Sequence, residues 1–441
     1  MSARSGLAAL SADLRALAHS PRELWIVYAM KLFESIGYFA IYSLLAIFLS
    51  DDHALDDAQA GAVVGGWQTA ISLVVFMAGF IADAMGVRRA LLVAAISTMA
   101  GRWFLALTPS LGGVYLALAL AVWGIGSMKP TMNAAVRSYT TAATVAFAFS
   151  IYYVLMNVGA AMQGPLIDGF RAFFKQGLDV GGWHFSSSQA VFAVGACCST
   201  INVGLALCLR QAPPELAAPL PLRNPFRIAQ EVLSERAFWR FLTFVALLTF
   251  VRLIFQHAHT TWPKYAIREF GEDFHFASYW SINPVMVIVL TPFATLLTRQ
   301  FKPYPVIVAG ALVSALSVFA MAFSTSVTAS LVFIVALSIG EVVWSPRLYE
   351  YTATVAPRGR ESSYMGLAEV PMFVAKMGAG YMSGWLLMTW CPKEGPRDST
   401  TMWLVIGLMT LAAPVLMLFL RSSLEVAEQE DPDVTAGPKP A

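Results

Sequence analysis

The chain has 441 residues, of which 57% are hydrophobic and only 13% charged, with a net charge of +2 and a mean hydropathy of +0.63. Average soluble domains carry about a quarter charged residues, whereas this sequence repeats apolar runs of about 20 residues, enough to cross roughly 30 Å of hydrocarbon as helix. These numbers exclude the soluble enzyme classes and predict an all-α, multi-pass protein of the cell (inner) membrane. The lipid bilayer is its surroundings, and no nucleic-acid partner is expected.

The first twenty residues (MSARSGLAALSADLRALAHS) are mildly amphipathic and lack the continuous apolar core of a cleavable signal peptide. Residues 1–23 are therefore expected to form a cytoplasmic N-terminal segment. Apolar runs bounded by charges or turn residues then fall at 24–49, 58–82, 90–107, 113–136, 143–167 and 188–209. A second set falls at 237–263, 277–298, 304–325, 328–352, 363–390 and 401–420. Between them lies RQAPPELAAPLPLRNPFRIAQEVLSER (210–236), whose proline and arginine content predicts a linker over a polar face. The spacing thus predicts two six-helix bundles, 24–209 and 237–421, joined by that linker. The acidic, aromatic-free end of the chain predicts a disordered cytoplasmic tail over 422–441.

Basic residues set the orientation, because cytoplasmic loops collect Lys and Arg. With the N-terminus inside, Arg88, Arg89, Arg137, Arg210, Arg223, Arg227, Arg299, Lys302, Arg358 and Arg360 are cytoplasmic, and both termini lie on that side. The first outer loop, SDDHALDD, has four aspartates and no base; it reads as a solvated acidic loop in preference to a cation site.

Ionisable groups inside apolar spans are costly, so each is a functional candidate. The first span reads MKLFESIGYFAIY, with Lys31 about 10 Å and Glu34 about 15 Å from the helix start at ~1.5 Å per residue. Positions 31, 34, 38 and 42 share a face, so Lys31, Glu34, Tyr38 and Tyr42 form a polar stripe. A structural ion pair that merely fixes helix packing is the plainer alternative. The fourth span ends in WGIGSMKPTMNAAV, a glycine-thinned helix that points Lys129 toward a cavity. Its GxGxxK spelling has no preceding strand, which excludes a phosphate loop. The fifth places Tyr153 and Asn157 one turn apart. The seventh puts Arg252, Gln256 and His259 on one face, while His257 and His259, two residues apart, diverge and make no metal site. The eighth carries Asn283 before Pro284. The tenth holds Glu341 deep in the span, then Arg347 and Glu350, and the eleventh holds Glu369 and Lys376. Polar groups at mid-depth on several helices predict a central cavity between the bundles, as in secondary transporters.

No chemistry beyond transport is indicated. The sequence has no convincing nucleophile–base pair or metal-ligand cluster, and the four cysteines read as small hydrophobes with no expected disulfide. No cofactor is expected, and the protein is expected to be a monomer.

The six-plus-six layout with a basic linker resembles the major facilitator superfamily. After the second span, Gly79, Asp83, Gly86, Arg88 and Arg89 match that superfamily's loop pattern, in which glycines permit close helix approach. Within the superfamily, four stretches resemble the proton-dependent oligopeptide transporters: GIGSMKPTMNAAV, FSIYYVLMNVGA, SINPVMVIVLTPF, and IGEVVWSPRLY followed by AP and YMG. The resemblance implies that Lys129 attracts a substrate carboxylate and that Asn157, Asn283 and Glu341 hold the amino end. It also implies that Tyr38 and Tyr153 line the pocket and that Glu34 helps couple proton movement. Departures are local. Lys31 and Ser35 stand where the family's first-helix signature has a glutamate and an arginine. The seventh-helix acid is missing around Phe255 and Gln256, with Arg252 one turn earlier, and the linker is too short for two extra helices.

The expected function is therefore proton-coupled uptake of small peptides or other amine-plus-carboxylate solutes by alternating access. Lys31, Glu34, Arg252 and Glu341 carry coupling and gating, and the proton gradient is the driving force. The alternative is a proton-antiport exporter of drug-like or metabolite molecules, for which Trp67 and Trp344 would suit hydrophobic cations.

Overall fold

The computed structural model describes residues 19–141, 144–210, 236–298, 300–355 and 370–424, together with Leu17 and Ser234. Most of the linker, the tail, Arg299, Arg358, Arg360 and Glu369 lie outside the described residues.

Among the described residues, each of the twelve expected spans falls on helix. The first six are α1 (Arg22–Asp51), α2 (Asp57–Met85), α3 (Val87–Leu107), α4 (Leu111–Ser138), α5 (Val145–Phe173) and α6 (Ser187–Leu207). Between α5 and α6 a short antiparallel hairpin, β1 (Leu178–Val180) with β2 (Trp183–Phe185), forms where only a loop is expected. Three later spans are broken. The seventh comprises α7 (Arg236–Thr260) and α8 (Trp262–Phe270), with Pro263 in the first turn of α8 and Gly271 at φ 98° closing it. The eighth comprises α9 (Phe276–Trp280) and α10 (Ile282–Thr298), and the ninth α11 (Pro303–Ser317) and α12 (Phe319–Phe323). Then come α13 (Val327–Val355), α14 (Val370–Trp390), α15 (Ser399–Phe419) and the short α16 (Arg421–Leu424).

Local chemistry places the helix starts that follow outer loops. Ser110 Oγ accepts from the Gly113 amide at 3.1 Å at the head of α4. Ser186 and Gln189 form a reciprocal capping box at the head of α6. Ten helical segments are long and apolar enough to cross a membrane, and α5 and α14 complete the set of twelve. Val93, Ile96, Leu116, Leu120, Ile201 and Leu207 stand exposed on α3, α4 and α6. Such side chains suit acyl chains, and a helix that bonds its own backbone is the form that can meet them.

The chain packs as two compact units. The first gathers Met1–Leu220, Phe255–Ile288 and Lys376–Met402; the second gathers Pro221–Ile254, Val289–Ala375 and Trp403–Ala441. In the first unit α3 runs along α4 and α6, α1 along α5 and α6, and α2 along α4. Small residues permit this closeness: a Cβ on Gly101 would sit 2.5 Å from the Ala121 amide nitrogen. Leu24, Val27, Leu91, Met128, Met132 and Tyr139 fill the buried cluster near the helix ends expected to be cytoplasmic. In the second unit α11 lies along α13, where a Cβ on Gly310 would meet the Trp344 amide at 2.8 Å.

One close backbone contact of the first unit joins α2 to α14. A Cβ on Gly61 or on Gly380 would run into the other residue's carbonyl oxygen, whereas Gly378 has open space around it. Backbone cannot retreat as a flexible side chain can, and overpacking costs about 1–3 kcal/mol. Gly380→Val is therefore expected to lower the thermal denaturation midpoint of the detergent-purified protein, and Gly378→Ala to leave it unchanged within about 0.5 kcal/mol.

Candidate functional site

The stripe expected on α1 is present, and its chemistry is set by a residue on α3. Glu34 is buried, and both its oxygens are taken by Arg102: Nη2 donates to Oε1 at 2.7 Å and Nη1 to Oε2 at 3.0 Å. Arg102 is 0% exposed, and Nη1 also donates to Ser199 Oγ on α6 at 2.7 Å. A bidentate guanidinium–carboxylate pair is the geometry that best repays moving two charges out of water. Gly37, one turn beyond Glu34, makes room for it: a Cβ there would meet the Arg102 guanidinium at 2.5 Å. Glu34 thus pairs across helices, with a donor on α3.

Arg102 is the principal residue that sequence reading missed. The signal was available: a lone arginine inside an apolar span is subject to the same rule that singled out Glu34.

Lys31 is buried, with its Nζ 4.8 Å from the centre of the Tyr152 ring on α5. Lys129 and Glu34 are the charged groups acting on it electrostatically. Lys129 itself is exposed on α4, next to the helix-interior Pro130. Asn157 is buried on α5, with its amide donating to the Tyr153 carbonyl at 3.0 Å. Tyr153 is half-buried, and Asn283 is buried near the start of α10.

Further along α1, aromatic and amide groups link four elements of the first unit. Tyr38 OH donates to Gln68 Oε1 at 3.0 Å, and its ring stacks on Trp67 at 6.2 Å. Tyr42 OH donates to Gln256 Oε1, while the His259 ring lies 4.4 Å from the Tyr42 ring and its Nδ1 bonds Ser43 Oγ at 3.1 Å. Trp280 meets the far edge of His259 at 5.4 Å. Gln256 and His259 therefore do share a face, as the spacing predicts, and that face packs on α1.

At the end of the helices expected to face outside, the acidic-loop reading needs correction. Asp57 is buried and accepts from Lys264 Nζ at 2.7 Å and Arg268 Nη2 at 2.8 Å. Lys264 also donates to Ser50 Oγ at 2.6 Å, and Arg268 to the Cys391 carbonyl at 2.6 Å. This clamp ties α1, α2, α8 and the end of α14 together within the first unit. Asp51 pairs with Lys393 at 3.0 Å, but both are exposed.

The remaining candidates lie elsewhere. Glu341 on α13 and Arg252 on α7 are half-buried members of the second unit. Arg347 there donates to the Thr298 carbonyl at 2.8 Å and to the Phe301 carbonyl, closing the end of α10 in a structural role. Gly79 and Asp83 fall on the last two turns of α2. Gly86 follows at φ 77°, where L side chains are strained, and exposed Arg88 and Arg89 open α3.

These features define a polytopic membrane transporter in which ionised groups are held at mid-span by cross-helix pairing. The chain belongs to the Major Facilitator Superfamily, whose family model matches residues 27–375. It is 21% identical over 348 residues to the "Uncharacterized MFS-type transporter YqjV" of Bacillus subtilis (strain 168), covering 78% of this chain and 81% of that protein. It is 23% identical over 379 residues to the "Multidrug resistance protein MdtH" of Yersinia enterocolitica, covering 85% of this chain and 89% of that protein. Among solved structures, a POT family transporter in complex with 5-aminolevulinic acid superposes with a TM-score of 0.74, at 16% identity over 92% of this chain and 97% of that one. That likeness shows that the two chains share one fold.

The ion pair on α1 and α3 makes a direct prediction. Arg102→Met leaves Glu34 buried without its counter-ion, which costs about 3–5 kcal/mol and lowers the thermal midpoint. Adding Glu34→Gln to that variant recovers most of the loss, and a double-mutant cycle reads the coupling.

Proposed function

We propose that this transporter takes up small peptides, or peptide-like solutes carrying an amine and a carboxylate, by proton-coupled symport and alternating access. The observation that carries the proposal is the exposed Lys129 set beside the buried Lys31–Glu34–Arg102 group. A carboxylate entering from water meets an ammonium whose charge the pre-formed ion pair leaves uncancelled. The 5-aminolevulinic acid held by a protein of the same fold is itself a small amine-plus-carboxylate solute.

In this reading Lys129 binds the substrate carboxylate, Tyr38, Tyr153, Asn157 and Asn283 line the site, and Glu341 holds the ammonium and exchanges the proton. Glu34 is a gating counter-ion more than a proton carrier, since protonating it would strand the Arg102 charge in the core. Arg252 and the loop residues Gly79, Asp83, Gly86, Arg88 and Arg89 serve the conformational change. The Asp57–Lys264–Arg268 clamp closes the outer end. The proton gradient drives the cycle, no cofactor takes part, and the working unit is a monomer.

A second reading, proton-antiport export of drug-like cations, draws on the multidrug name of one relative and on the aromatic run Tyr38, Trp67, Tyr42, His259 and Trp280. Lys129 separates the two. A hydrogen bond to a charged group contributes about 1.5–3 kcal/mol, so Lys129→Gln is expected to raise the half-saturation concentration of a carboxylate substrate about 10- to 100-fold. A cation exporter would hardly respond.

Two experiments test the symport reading. In proteoliposomes with an acidic exterior, dipeptides are expected to accumulate, and Glu341→Gln to abolish accumulation against a gradient while exchange persists. Absence of both uptake and competition by dipeptides would overturn the proposal. Asp57→Ala is expected to increase labelling of the buried position in a Tyr42→Cys variant by a membrane-impermeant maleimide added outside; unchanged labelling would remove the clamp from the gating scheme.

A further inference from the structure

The charges in the group around Lys31 and Glu34 do not balance. Three cations, Lys31, Arg102 and Lys129, stand against one carboxylate, Glu34, in that group among the described residues. Arg102 bonds both oxygens of Glu34, so the single negative charge there is already matched by one guanidinium. Lys31 is 8% exposed, yet the contact its ammonium makes among the described residues is the Tyr152 ring face. Tyr152 OH donates to Met132 Sδ at 3.7 Å, while Lys31 meets the ring face of that residue. Burial takes that ammonium out of bulk water, and a ring face replaces water only in part. Lys129, which acts on it electrostatically alongside Glu34, has the same sign.

We propose that Lys31 is a second anion-binding residue, and that the preferred solutes carry two acidic groups: dicarboxylates and small peptides with an aspartate or glutamate side chain. This deepens the symport reading above and rests on it for the placement of Lys129. One acid group of the solute meets the exposed Lys129, and the second displaces the ring-face contact of Lys31 by a charge-assisted hydrogen bond. Such a ligand brings two negative charges to a site with two uncancelled positive ones. A neutral zwitterionic dipeptide supplies one carboxylate and leaves Lys31 unmatched.

The test uses full-length protein in detergent or liposomes and two isosteric pairs at neutral pH: Ala-Glu against Ala-Gln, and succinate against succinamate. The charged member of a pair is expected to bind at least tenfold tighter. Lys31→Gln should bring that ratio to about one, Lys31→Arg should keep it, and Lys129→Gln should weaken both members together. Lys31→Met guards against a folding artefact. If Lys31 is an unmatched cation awaiting a ligand, this variant melts higher than the parent, whereas a structural partner of Tyr152 would make it melt lower. Equal binding within both pairs, or a preference that survives Lys31→Gln, overturns the anion site. Peptides that bind without regard to charge would leave the symport reading standing and this one fallen. Succinate binding that depends on Lys31, with no peptide binding, would do the reverse, and no binding by any of the four would remove both.

Discussion

The first unit depends on one guanidinium held out of water. Arg102 is wholly enclosed, and it is tolerable there because α1, α3 and α6 converge to give it a carboxylate and a hydroxyl at hydrogen-bond distance. Lipid offers a polar group no substitute for water, so those three helices cannot separate without exposing both charges to hydrocarbon. The pair therefore acts as a three-helix tie at mid-span. The remaining polar features of α1, from Lys31 to Ser43, are positioned by the helix whose rotation this tie sets.

Small residues do the complementary work. Helices in a bilayer gain little from hiding apolar surface from one another, since lipid is as apolar as leucine. Close backbone approach at Gly101, Gly61 and Gly380 provides dispersion contacts and short paths between helices instead. Charge and smallness are thus coupled. Gly37 is small because Arg102 needs the space, and Arg102 can reach Glu34 because Gly37 leaves it open.

Much of this was legible in the residues. Twelve apolar runs of the right length found helix in every case, because span length and hydropathy answer to bilayer thickness alone. The α1 stripe was legible through the 3.6-residue period, and so was the shared face of Gln256 and His259. What escaped had a common cause: the partner is distant in sequence. Glu34 and Arg102 are 68 residues apart, and Asp57 and Lys264 are 207 apart. Local reading therefore saw a neighbouring Lys31 and an acidic loop, where packing makes a cross-helix pair and a buried clamp. The break at Val318 also escaped, since it lies inside an apolar run, and those at Thr261 and Ser281 fall within stretches read as single spans.

Ser35 and Gly159 press the backbones of α1 and α5 together: a Cβ on Gly159 would lie 2.6 Å from the Cβ of Ser35. A long side chain at position 35 would have to leave its helix at the point where α5 already stands. The base beside Glu34 is supplied by α3, because position 35 has no room for one. Placing a base at position 35 requires the two helices to part, while removing Arg102 orphans Glu34. The two positions can exchange this charge only together, so a single substitution at either one damages the bundle.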